Sequence, residues 1–138
     1  MALQLTPSIS LDGYAKEAIS FYEQTLEAQV VFQQTYGEGP DPVSEKAKER
    51  IAHSILLIGA TELYVNDTFP GQASQMGDGI QICITTPDTD KSQQLYDALQ
   101  QGGHVVMPLQ SIYFSPAFGV VTDKFGVTFQ IYTQRPSA

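Results

Sequence analysis

The chain has 138 residues, the length of one ordinary domain, and at this size a core forms without disulfides or a structural metal. Its formal charge is −8, from 7 Lys and Arg against 15 Asp and Glu, which argues against a nucleic-acid partner because phosphate backbones are held by clustered cations. No run approaches the ~20 apolar residues of a membrane span, and Met1 to Pro7 lacks a basic, then apolar, leader pattern. The default expectation is therefore a soluble cytoplasmic protein with no membrane partner, whose charge serves solubility first and favours cationic ligands second.

The first predicted element is a strand over Ser8 to Leu11, where Ile9 and Leu11 share one face. Ala15, Ala18, Ile19, Tyr22 and Leu26 then recur at helical spacing, with Asp12 the better capping candidate because Tyr14 has no short acceptor. Ala28 to Tyr36 is rich in strand formers, and the glycines and prolines from Gly37 to Pro42 predict an irregular loop. A short polar helix is expected within Ser44 to Arg50. His53 to Ile58 and Thr61 to Asn66 read as two strands joined by Gly59-Ala60.

Pro70 to Gly79 lacks periodicity and reads as a linker, after which the same order starts again. Gly79 to Thr85 alternates as a strand, Asp88 is placed to cap a helix, and Leu95, Ala98 and Leu99 lie on one stripe of it. Gly102-Gly103 ends that helix. Val105 to Leu109, Ile112 to Thr122 and Val127 to Thr133 supply three strands, the middle one interrupted near Ser115-Pro116. Cys83, the one cysteine, lies between Ile82 and Ile84 and reads as a buried, inert thiol.

Both halves thus read strand, helix, strand, strand, strand, and they superpose. Phe21-Tyr22 falls on Leu95-Tyr96, Pro7 on Gln81, and Leu63 and Val65 on Phe129 and Ile131. The offset is 74 residues at the helices and 66 at the closing strands, with the excess held in the loop from Gly37 to Arg50. The expectation is α+β: one domain over residues 1–138, built from a module at about 5–69 and a second at about 79–133.

Several strings carry a resemblance to a known family. They are Glu17-Ala18-Ile19-Ser20-Phe21-Tyr22, Ile51-Ala52-His53, Met107-Pro108-Leu109, Phe118-Gly119, and Thr122-Asp123-Lys124-Phe125-Gly126-Val127. In this order and spacing, from about Leu5 to Tyr132, the chain resembles the PhnB-like branch of the vicinal-oxygen-chelate superfamily, the fold of glyoxalases, bleomycin-resistance proteins and dihydroxybiphenyl dioxygenases. The resemblance implies two tandem βαβββ modules whose mixed sheet curves around a central cup, and it also implies a homodimer. Metal-dependent members take one ligand from the first and one from the last strand of each module. Those positions carry over to Pro7, Tyr64, Gln81 and Gln130. Proline offers no side-chain donor, tyrosine coordinates chiefly as a phenolate, and glutamine brings no charge, so the set reads as metal-free and without cofactor. A shift of two at Tyr64 brings in Glu62 instead. Some relatives bear a ubiquinone-pathway methyltransferase label, but the chain shows no glycine-rich S-adenosylmethionine-binding βα motif.

The remaining candidates are few. His53 is the best candidate for a base or ligand contact, with a backbone-satisfied structural histidine as the simpler reading; His104 reads as an exposed corner. Tyr113, Phe114 and Phe118, with Tyr64, Gln81 and Gln130, are the expected ligand-binding residues, and Phe125 and Phe129 belong to the same aromatic group. Phe114, Ser115 and Ala117 stand where the branch usually has tryptophan, glycine and a basic residue, so no ligand preference transfers through them. Asp123 reads as a turn residue. The expected function is metal-free binding of a small organic ligand, aromatic or cationic, with an enzymatic role not favoured. The alternatives are a metal-dependent lyase, isomerase or dioxygenase using Glu62, Gln81, Gln130 and His53, and a subunit acting only through protein contacts.

Overall fold

The computed structural model describes residues 2–136. In chain order these form β1 (Ser8–Leu11), α1 (Ala15–Thr25), β2 (Gln29–Thr35), β3 (Ile51–Ile58) and β4 (Thr61–Asp67), then β5 (Ile82–Thr86), α2 (Thr89–Leu99), β6 (His104–Ile112), β7 (Ser115–Thr122) and β8 (Thr128–Thr133). The chain divides into two compact units between Gln75 and Met76, inside the stretch read as a linker. Their sheets have the same topology, β1-β4-β3-β2 and β5-β8-β7-β6. In each, the first and last strands pair in parallel, and the helix between the first two strands is the crossover such pairing requires.

In the first unit α1 buries Ala15, Ala18, Ile19, Phe21 and Tyr22 on the face of the sheet that carries Ile9, Leu11, Leu56, Leu63 and Val65. Full burial stabilises by about 1.5–3 kcal/mol for each large side chain. The helix start departs from expectation. Tyr14 occupies the N-cap position without a side-chain bond, and Asp12 turns instead to Arg50, 3.0 Å from its Nη1. The missing acceptor comes from the far end of β4. Asp67 Oδ1 accepts from the backbone N–H of Gly13 at 2.7 Å and of Ala15 at 3.1 Å, while Oδ2 accepts from Ile51 N–H at 2.9 Å. One buried carboxylate therefore fastens α1, β3 and β4 together.

The second unit keeps the topology with different chemistry. Asp88 caps α2 as expected, accepting from Lys91 N–H at 2.8 Å. Thr133 occupies the place of Asp67, and its hydroxyl bonds Ser92 at 2.6 Å and the Ala117 carbonyl at 2.7 Å. Ser92 in turn meets Thr86 at 2.5 Å. Asp123 is a turn residue, with Oδ1 accepting from Phe125 and Val127 N–H. Gly102 takes a φ of +75° after α2, and a Cβ on Gly103 would run into the Thr122 carbonyl oxygen and lie 2.8 Å from the Asp123 carbonyl carbon.

Three expectations are corrected. The break read at Ser115-Pro116 is a reversal at Tyr113-Phe114: Ile112 ends β6 and pairs with Ser115, which opens β7. The turn lacks glycine and asparagine, so no local signal marks it. Cys83 is exposed, because β5 is an edge strand and alternation aims Cys83 away from α2 while Ile82 and Ile84 face the helix. Finally, Tyr64 lies beside Ser8 and Gln130 beside Cys83, so the first strands superpose with an offset of 75 residues. Pro7 therefore matches Ile82, and the counterpart of Gln81 is Thr6. The connection from strand to helix is one residue longer in the first unit, so the helix offset of 74 does not extend to the first strands.

Replacing Asp67 with alanine leaves three backbone donors without their acceptor, and a loss of about 3 kcal/mol follows from roughly 1 kcal/mol per bond. Urea unfolding with an unchanged slope and a lowered midpoint is the expected result. Gly103→Ala should cost about 1–3 kcal/mol through overpacking against backbone, read in the same titration.

Candidate functional site

Each sheet has a face turned away from its helix, and alternation places the candidate residues there. In the first unit, β4 turns Glu62, Tyr64 and Asn66 to this face, while Leu63, Val65 and Asp67 point into the core. Tyr64 pairs with Ile55 of β3, which pairs with Phe32 of β2. His53 lies two residues from Ile55 on the same side. Its ring sits edge-on to Tyr64 at 4.9 Å and tilted against Phe32 at 5.9 Å. The partners of His53 are thus two aromatic rings, and Phe32, 45% exposed, extends the row to the sheet edge. Glu62 Oε1 accepts from Gln4 Nε2 at 3.3 Å.

In the second unit, Gln130 Nε2 donates to Gln81 Oε1 at 3.0 Å. Tyr132 follows on the same face of β8 and pairs with Phe118 of β7. Phe114, from the β6–β7 turn, stands edge-on to Phe118 at 5.0 Å and stacks at 16° on Tyr132 at 6.1 Å. Tyr113 packs edge-on to Phe114 at 5.1 Å and is 88% exposed. Tyr132 belongs to this patch although it is not among the sequence candidates; alternation from Gln130 was the signal for it. Phe129, by contrast, faces α2 in the core, and Phe125 lies in the turn before β8, under the Lys124 ammonium at 5.5 Å. His104 is exposed at the start of β6.

The donor set does not suit a divalent metal. With the register corrected, the first-strand positions are Thr6 and Gln81 and the last-strand positions Tyr64 and Gln130. These are a neutral hydroxyl, a phenol and two amides, and the amides are bonded to each other. Among the described residues no group of three or more His, Cys, Asp or Glu is placed to hold a metal ion. Glu62 is the one carboxylate that the alternative reading brings to these faces.

Comparison with known proteins agrees with this architecture. Residues 3–132 match the model of the family described as 3-demethylubiquinone-9 3-methyltransferase. The chain belongs to this family. It is 28% identical to Protein YjdN of Escherichia coli (strain K12) over 140 residues, covering 94% of each chain. The crystal structure of PA1353 from Pseudomonas aeruginosa is similar with a TM-score of 0.89 at 29% identity, over 98% of this chain and 100% of that one. A PhnB protein from Bacillus cereus gives a TM-score of 0.80 at 24% identity, over 95% and 99%. A glyoxylase/bleomycin resistance protein/dioxygenase domain from Frankia sp. EAN1pec shares the fold, with a TM-score of 0.71 at 9% identity over 98% and 99%. The fold is thus that of the glyoxylase/bleomycin resistance protein/dioxygenase domains, as the sequence strings implied. Among the described residues no helix is long and apolar enough to cross a membrane.

Cys83 stands beside Gln130 on the same face. Although the side chain is exposed, neighbouring atoms strip water from it and push the thiol above its ordinary value, partly offset by a hydrogen bond with Thr85. A raised value means less thiolate at neutral pH. Iodoacetamide should therefore alkylate the folded protein completely but more slowly than a free thiol at pH 7, with the rate still climbing where the free thiol has reached its plateau.

Proposed function

We propose that the protein binds a small organic compound with an aromatic part on the face of the second sheet turned away from α2, without a catalytic metal. The observation that carries this reading is the pair of accessible rings, Phe114 at 37% exposure and the half-buried Tyr132, set edge-on or stacked over the buried Phe118 beside the Gln81–Gln130 amide pair. Aromatic rings take up further rings in the same offset and edge-on geometries, and amides fix orientation by hydrogen bonding. Ring faces and a formal charge of −8 both favour a cationic ligand. His53, Tyr64 and Phe32 form a second aromatic row of the same kind in the first unit. A structural neighbour is a glyoxylase/bleomycin resistance protein/dioxygenase domain, and sequestration of a compound of bleomycin's chemical type fits this patch better than turnover does.

In this reading the protein is a cytoplasmic homodimer. Edge strands β2 and β6, with Val31 54% and Val106 56% exposed, are surfaces that association would cover.

Binding can be followed by the intrinsic fluorescence of the 7 tyrosines, since the chain has no tryptophan. Titration with planar cationic aromatics should saturate, and Phe114→Ala should weaken binding about tenfold, the equivalent of one lost aromatic contact. A flat response across cationic and neutral aromatic compounds would remove the basis of this reading.

A further inference from the structure

A cavity of about 480 Å³ lies in the first unit, away from the aromatic row, where the start of α1, the turn at Glu45–Ala47 and the ends of β3 and β4 meet. This volume is typical of small-ligand sites, roughly 300–1,000 Å³. Its walls gather Lys16, Lys46 and Arg50, three of the 7 cationic side chains in an acidic protein. Against these three cations the wall carries two carboxylates, Asp67 and Glu49, so the lining keeps an excess of one positive charge. Asp67 is fully engaged by three backbone N–H donors. Glu49 holds Lys16 at 2.7 Å, but the two side chains are 79% and 53% exposed, a pairing that water and salt readily replace.

Arg50 is fixed, with only 17% of its side chain exposed. Nη1 reaches Asp12 at 3.0 Å, Nη2 reaches the Thr68 carbonyl and hydroxyl at 2.8 and 3.0 Å, and Nε is buried without an acceptor. Its charge is thus met by a single, half-exposed carboxylate. Among the described residues no carboxylate pairs with Lys46, because neighbouring Glu45 bonds Lys48 at 2.7 Å. We propose that this cavity binds a small oxyanion, a phosphate or carboxylate group, with Lys46 and Lys16 as movable charge contacts against the fixed guanidinium of Arg50. Ammonium groups act as point charges on such anions, and a rigid guanidinium supplies direction. The site is independent of the aromatic patch, so either reading can fail without the other.

The test is calorimetric titration of the full chain with inorganic phosphate and, separately, citrate, in the wild type and in variants at exposed positions. Saturable binding of one or both anions is expected, and the preferred one shows which oxyanion the site suits. Lys46→Gln should weaken it about tenfold, as loss of one charge-assisted bond does. The Lys16→Gln, Lys46→Gln double variant should abolish it, and Lys91→Gln, in the other unit, should leave it unchanged. Absence of saturable binding for both anions, or equal binding by the double variant, would overturn the proposal.

Discussion

The carboxylate of Asp67 is the constraint on which the first unit depends. Its two oxygens serve three backbone donors drawn from the entry to α1 and from the start of β3. A helix start lacks intrahelical partners for its first N–H groups and usually finds one in a nearby side chain. Here the partner is supplied by the last strand, which ties the crossover helix to the strand that closes the sheet. The same bonds hold the entry to α1 beside the start of β3 at one end of the sheet, where Gly13, Arg50 and Asp67 line the cation-bearing cavity.

The second unit shows that the topology does not require an acid at this place. Thr133 stands where Asp67 would, and a chain of hydroxyls from Thr86 through Ser92 to Thr133 and the Ala117 carbonyl joins β5, α2, β8 and β7. Asp88 supplies the local cap that the first unit lacks. Both solutions satisfy buried polar groups, as a core must, but one is ionic and long-range and the other neutral and distributed. The ionic version stands at the wall of the cavity lined by Lys16, Lys46 and Arg50.

The paired modules were legible because their signals are periodic and local: alternation in the strands, the apolar stripe of α1, and Asp88 before α2. What escaped was non-local. Nothing near Tyr14 announces an acceptor more than fifty residues away. A single extra residue between β1 and α1 displaced the strand superposition and made Pro7, rather than Thr6, the counterpart of Gln81. Cys83 reads as a core residue from its isoleucine neighbours, although alternation with them places it on the opposite face. Phe114 and Phe118 are candidates in the sequence, yet their grouping with Tyr132 depends on a turn at Tyr113-Phe114 that carries no turn residues. The cavity is not legible in the sequence, since Lys16 on α1 meets Lys46 and Arg50 from a segment about thirty residues further on.

The functional account holds that this is the vicinal-oxygen-chelate scaffold with its chelating positions given over to a hydroxyl, a phenol and two mutually bonded amides, and with aromatic side chains left to bind an organic ligand. The most direct test is elemental analysis of the protein purified without chelators, after equilibration with zinc, nickel, manganese and iron(II) in turn. The account predicts that each metal stays well below one equivalent per chain after desalting. One tightly retained equivalent of any of them, lost on replacing Glu62 or His53, would contradict it.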